Sequence, residues 1–462
     1  MSATDAAPTD TDELGRRANE IERAEMARLI TRTQGSKALY ERAVEHLPFG
    51  VASSFQAGDP YPIYIARGEG SHVWDADGNE YVDFHGGFGC NLVGHANPHV
   101  VEAIEKAART GTHFAATTPV TVECAEEIAR RFRLDKVRFT NSGTESTMDA
   151  IRVARAKTGR DCIVKIEGSY HGHHDPVMFS VVPNSDMMGG RDQPATAPMS
   201  RGIPKDVSKR TFVVPFNDAP AFEALLEQKG DEIACIILEP VMMNIGIVEP
   251  APGYLSALRE ICTRFGVALI FDEVKSGASV APGGALDRYD VQPDLACFAK
   301  ALFGGTPGGA FGGSEEWMEV IEHGCAQQGT FNGNPLVAAA GVATLTKVLT
   351  PDAYAYLAKL GTRLASGCQA AIDANGIPAH TVDLGAKGCV SFRKERLGNY
   401  RDFLETRPEL FTAAFPWALN RDIFMTPGDE EQWTLSVQHT EEDIDGYVAS
   451  FTGFCEALAG RA

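Results

Sequence analysis

VALIFDEV, residues 267–274, is a run of five apolar residues that ends in two adjacent carboxylates and a valine. A short apolar run without alternation is the pattern of a strand covered on both faces, as in a parallel sheet. A carboxylate at the end of such a strand is costly unless a charged or hydrogen-bonding partner meets it. Six similar runs lie nearby: VRFTN (137–141), CIVKI (162–166), TFVVPF (211–216), IACIILEP (233–240), LACFAK (295–300) and GGAFGG (308–313). Helix-period segments separate them, so the pattern predicts an α/β fold around a mainly parallel sheet.

At 462 residues the chain is longer than one core normally serves, and two domains are expected. Residues 1–34 read as a polar tail and a helix, and 35–95 as the N-terminal part of a small domain. Residues 96–335 read as the large domain, and 336–462 as the C-terminal part of the small one. Helical periodicity from Arg16 to Leu47 is expected to break at Gly35. The stretch YIARGEGSHVWDADGNEYVDF (64–84) reads as a hairpin turning at Asp77-Gly78. Segment 184–208 is too long for a plain connector and reads as a poorly ordered lid or binding loop.

The formal net charge of −20 argues against nucleic acid and anionic membranes as partners. The N-terminus has no secretory signal pattern, and no apolar run approaches the ~20 residues of a membrane helix. A cytoplasmic protein is expected. The ten cysteines are scattered singly with no C-x-x-C pair, which argues for reduced, buried thiols rather than a zinc or redox motif.

In open α/β sheets, ligands sit beyond the carboxyl ends of the strands. Five such ends carry unusual residues. VRFTN runs into SGTEST (142–147) and then a helix, which reads either as a simple N-cap or as a phosphate cup with hydroxyls from Ser142 and Thr144. Asp272 either caps a turn or holds a ligand nitrogen protonated. Lys300 leaves an apolar strand for a glycine-rich turn, where burial favours a nucleophilic neutral amine over a snorkelling cation. Lys275, the rival lysine, is expected to be solvated in a turn. Glu239 closes the strand IACIILEP, and Asn244 follows soon after. CIVKI leads into SYHGHHD (169–175), whose three histidines and aspartate read either as a metal cluster or as a pocket wall. Together these ends suit one ligand with a phosphate, a basic ring nitrogen and an aldehyde, and pyridoxal 5'-phosphate has all three.

These motifs, in this order from about Val51 to SVQHTEEDID (436–445), resemble the class III aminotransferases of the fold type I pyridoxal-phosphate enzymes. The nearest subgroup contains glutamate-1-semialdehyde aminomutase. The resemblance implies a mainly parallel seven-stranded sheet with helices on both faces, plus a smaller α+β domain built from the two chain ends. It implies that Lys300 is the Schiff-base lysine and that Asp272 pairs with the pyridine nitrogen. Val274 and Tyr170 would flank the ring, and Gly143 and Thr144 would bind the phosphate. His171 would line the site, Asn244 would lie near the phenolic oxygen, and Glu431 would match a glutamate near the substrate. Thr330 would reach the phosphate of a neighbouring subunit, making the active unit a homodimer. No metal is implied, and His173, His174 and Asp175 become loop or entrance residues.

The departures concern the substrate. Where aminomutases of the subgroup carry an arginine for the substrate carboxylate, GVASSFQ (50–56) has Gln56, and KSGASV (275–280) also lacks one. A neutral amide cannot make the bidentate pair that arginine makes with a carboxylate. Arg393 of VSFRK (390–394) is a candidate replacement, against the bland reading of a surface arginine. The expectation is a ping-pong aminotransferase acting on a small amino donor and a carbonyl acceptor, with an aminomutase as the alternative.

Overall fold

Seven strands form the central sheet of the computed structural model, which describes residues 12–428 and 433–461. In chain order they are β4 (Lys136–Thr140), β5 (Cys162–Ile166), β6 (Thr211–Val214), β7 (Ile233–Leu238), β8 (Ala268–Asp272), β9 (Leu295–Phe298) and β10 (Gly309–Gly313). They correspond to the seven apolar runs in the sequence. Their order across the sheet is β4-β10-β9-β8-β7-β5-β6. β5, β6, β7, β8 and β9 pair in parallel, while β10 runs antiparallel to both β9 and β4. Two antiparallel steps return β4 to the direction of β9. The carboxyl ends of six strands therefore share one edge. Every residue of β5, β7, β8, β9 and β10 is buried, as strands covered by helices on both faces require.

Two smaller sheets join the chain ends. β1 (Ile65–Glu69), β2 (His72–Asp75) and β3 (Glu80–Asp83) form an antiparallel meander. β13 (Ile423–Phe424), from near the C-terminus, adds to β3 in parallel. β11 (His380–Asp383), β12 (Lys387–Ser391) and β14 (Trp433–Thr434) form the third sheet, covered by the helix Pro351–Asn375, on which Glu441–Leu458 packs. The expected Asp77-Gly78 turn joins β2 to β3, with Gly78 at φ +86°. A second turn at Gly70, φ +62°, adds β1, so the element is three strands and not one hairpin.

The N-terminal helical region breaks at Thr33, not Gly35. The helices are Glu13–Arg32 and Gln34–Ala43. Thr33 leaves helical geometry with its hydroxyl donating back to the Leu29 carbonyl at 2.7 Å. Gly35 lies inside the second helix because a Cβ there would stand 2.9 Å from the Asp77 carboxylate, which accepts the Gly35 and Ser36 amides. Segment 184–208 is also pinned, contrary to expectation. It is stapled by bridges Phe179–Pro198 and Gly189–Pro194, and Met188 is buried. Arg401 pairs with buried Glu167 and donates to the Met188 carbonyl. None of the ten cysteines forms a disulfide, and nine of them are buried. Among the described residues no helix is long and apolar enough to cross a membrane.

Two predictions follow from buried packing. A Cβ on Gly388 of β12 would meet the fully buried Trp433 ring at 2.3 Å. Gly388→Ala is expected to lower stability by about 1–3 kcal/mol, read as a fall in urea midpoint at unchanged slope. Lys165 in β5 is fully buried, with Nζ donating to the carbonyls of Ser169 at 3.0 Å and Phe179 at 2.6 Å. Burial brings this ammonium down to about 7, against the pull of Glu239 and Glu167. Above pH 7 and up to the ordinary lysine range, the unfolded chain binds a proton that the folded chain has lost. Stability therefore rises with pH across that window and is insensitive to this group below it. Unfolding titrations across the window should show a smaller rise in Lys165→Met; an identical slope would mean Lys165 keeps its proton.

Candidate active site

The shared strand edge opens into a cavity of about 300 Å³. Its floor is the end of β8. Asp272 is 4% exposed; its Oδ1 accepts the Val274 amide at 3.0 Å, and its Oδ2 lies 2.7 Å from His171 Nδ1. With the carboxylate ionised, Nδ1 is the donor and the imidazole is held in one orientation. The other ring nitrogen, Nε2, is buried and has no hydrogen-bond partner. An orphaned polar atom in a cavity wall is the mark of a site that expects a ligand.

Glu239, at the end of neighbouring β7, is a hub. Oε1 accepts the Tyr170 amide at 2.9 Å, while Oε2 accepts the Met243 amide at 3.0 Å and Asn244 Nδ2 at 2.8 Å. Burial pushes its carboxyl up, opposed by His171 and these donors. It acts by orienting Tyr170 and Asn244, both of which line the cavity. Its neighbour in sequence logic, Glu273, turns away from the cavity to accept the amides of Ala285 and Leu286, and burial raises it to about 7.

At the far wall, helix Gly143–Thr158 points its N-terminus into the cavity through Gly143 and Thr144. Ser142 is the N-cap, its Oγ accepting the Glu145 amide at 3.2 Å, and it does not line the cavity. The loop approaches closely because side chains are missing where they would collide. A Cβ on Gly143 would lie 2.8 Å from Val274. On Gly172, at φ +93°, it would lie 2.5 Å from the Thr144 hydroxyl. The result is a cradle of exposed amides at a helix N-terminus, suited to a phosphate.

Lys300 follows β9 and lines the cavity half-buried, with φ +46°. A non-glycine residue in that region carries about 1–3 kcal/mol of strain and is concentrated at functional sites. Lys275 corrects the sequence reading: it is 8% exposed, not solvated, and lines the same cavity. Its Nζ donates to the Met243 carbonyl at 2.9 Å. The mouth is aromatic. Tyr170 meets Phe55 edge-on at 5.6 Å between centroids, and Phe55 meets Phe88 at 5.9 Å. Sequence reasoning missed Phe55, Phe88 and Gly172; the only signal for the second was the glycine run around Phe88 (Gly86, Gly87, Gly89).

The remaining candidates lie elsewhere. Gln56 is exposed and turned back, its Oε1 accepting the Ser53 amide in a capping box. Arg393 is committed to Glu405 at 2.9 Å and to two backbone carbonyls, and it does not line the cavity. Thr330 is exposed outside the cavity wall. Glu431 lies outside the described residues. His173 and His174 reach separate hydroxyls, of Thr144 and Thr147, and burial pushes His174 down to about 3. Among the described residues no three His, Cys, Asp or Glu side chains converge as metal ligands do.

The family model for class III aminotransferases matches residues 54–396. A glutamate-1-semialdehyde 2,1-aminomutase of Desulfitobacterium hafniense is 40% identical over 418 residues, covering 89% of this chain and 96% of its own length. An omega-transaminase from Sphaerobacter thermophilus superposes with TM-score 0.87 at 35% identity, covering 92% of this chain and 97% of its own. A glutamate-1-semialdehyde aminomutase from Pseudomonas aeruginosa, solved in complex with PMP, gives TM-score 0.87 at 27% identity, covering 96% of this chain and 99% of its own. This chain belongs to the class III aminotransferases, and its cofactor is pyridoxal phosphate.

Proposed function

We propose that the cavity moves an amino group between carbon atoms, and that it does so within one molecule, as a 2,1-aminomutase does. The observation that carries the amino-group chemistry is Lys300 and the His171-bonded Asp272 in one cavity. The intramolecular form is supported by relatives named as aminomutases at 40% identity over nearly the whole chain. That support reverses the order of the two readings drawn from the sequence. Intermolecular ping-pong transamination is the second reading, favoured by Gln56 turned away from the cavity and by the absence of arginine among the described lining residues.

When bound, pyridoxal phosphate supplies an electron sink for the carbon that loses its proton. The chain does the rest. The Lys300 amine would hold the cofactor and would serve as base and then acid for the proton that changes carbon. Asp272, oriented by His171, keeps the ring nitrogen protonated. Val274 and Tyr170 would bracket the ring, and the amides of Gly143 and Thr144, with the Thr144 hydroxyl, would take the phosphate. Asn244, fixed by Glu239, would face the phenolic oxygen. Thr330, exposed on this protomer, would serve the phosphate of a second copy, which would make the working unit a homodimer.

Wild-type protein loaded with the cofactor is expected to be yellow; a colourless protein sinks the proposal. Lys300→Ala should lose the lysine-linked visible band and about 10²–10⁴-fold or more in turnover. Glutamate-1-semialdehyde turned over with no second amino donor identifies the intramolecular reaction. Turnover that requires a separate donor and acceptor identifies transamination instead.

A further inference from the structure

We infer that Lys165, which lies in β5 and does not line the cavity, is a positioning residue for the cofactor. It sets the placement of the Tyr170 ring by holding the Ser169–Tyr170 peptide group from the side opposite Glu239. This rests on the reading above in which Tyr170 flanks the cofactor ring, and it adds to that reading a group outside the cavity wall.

Three observations carry the assignment. First, one peptide group is gripped at both ends. Its C=O, from Ser169, accepts Lys165 Nζ at 3.0 Å, and its N–H, from Tyr170, donates to Glu239 Oε1 at 2.9 Å. The C=O and N–H of a trans peptide point in opposite directions. The two bonds together therefore block rotation of the plane from which the Tyr170 side chain departs.

Second, the same side chain closes the loop that carries Tyr170. Nζ also donates to the Phe179 carbonyl at 2.6 Å, which joins residue 169 to residue 179 across the SYHGHHD segment. Burial brings the ammonium down to about 7, and the neutral amine still has two N–H bonds, one for each carbonyl. The grip does not depend on the charge.

Third, the other ties of the loop lie around this peptide and not on it. Glu167 pairs with Arg401, the Gly168 amide donates to the Ser180 carbonyl at 2.8 Å, and the His171 carbonyl accepts the Thr147 hydroxyl at 2.6 Å. Gly168, at φ +83°, is packed so closely that a Cβ would stand 2.6 Å from the Tyr400 ring. Lys165 is fully buried in a strand whose other residues are apolar. Methionine would fill that place at a lower desolvation cost, but it would leave the Ser169 and Phe179 carbonyls without this donor.

The test takes two readings of the bound cofactor in the holoenzyme: the circular dichroism of the visible band per unit absorbance, and the cofactor dissociation constant. Lys165→Met is expected to reduce the dichroism and to weaken cofactor binding about 2–10-fold, the range of one aromatic ring contact. Tyr170→Ala should change both readings in the same direction. Adding Lys165→Met to Tyr170→Ala should then weaken binding by less than about twofold more, because a residue that acts through Tyr170 has nothing left to place. Gly388→Ala, destabilised away from the cavity, should keep wild-type values of both readings and so separates positioning from loss of stability. If Lys165→Met does not fold, Lys165→Gln, with its N–H donors on a shorter stem, takes its place with the same expectations. Wild-type dichroism and affinity in the Lys165 variant, or losses that multiply in the double variant, overturn the assignment. A Tyr170→Ala variant with both readings unchanged overturns the placement of Tyr170 beside the cofactor, and the assignment with it. A wild type that takes up no cofactor overturns the function itself.

Discussion

The bond between Asp272 and His171 is the constraint around which the site is arranged. It ties the end of β8 to the loop after β5, across the end of β7 that lies between them in the sheet. A buried carboxylate at the end of an all-apolar strand needs such a partner, and the partner has to come from another strand end. Once His171 is fixed, Tyr170 and Gly172 are fixed with it. Glu239, at the bridged strand end, then completes the arrangement by accepting the Tyr170 amide.

The same edge carries a row of buried acids, each answered differently. Glu167 after β5 has an ion pair with Arg401, with Lys165 nearby. Glu239 after β7 has N–H donors, and Asp272 ending β8 has an imidazole and an amide. Glu239 and Asp272 both line the cavity, but of the three it is Asp272 that is bonded to the imidazole whose other nitrogen is orphaned. Position in the sheet turns a common structural device, the satisfied buried acid, into a reactive one at a single place.

Much of this was legible in the sequence, for a physical reason. Strands buried on both faces are written as uninterrupted apolar runs, and whatever polar residue follows one stands at the carboxyl edge. That makes Asp272, Glu239 and Lys300 visible in the sequence. Lys275 was not legible, because its burial depends on the Met243 carbonyl, which arrives from another strand end. Gly35 misled for the same reason: an isolated glycine reads as a helix break, yet here it makes room for Asp77 from 42 residues away. Ser142 was ambiguous in sequence, and its hydroxyl caps the helix.

The floor and the mouth of the cavity come from different parts of the chain. Strand ends of the central sheet make the floor, whereas Phe55 and Phe88 come from the N-terminal segment. Phe88 packs on His85 at 4.4 Å, and His85 in turn on Phe424 of β13, the strand that joins β3. The aperture is thus shared between the two chain ends and Tyr170 at the edge of the central sheet. Its shape can be altered by substitutions at either end of the polypeptide while the groups that move protons stay where they are.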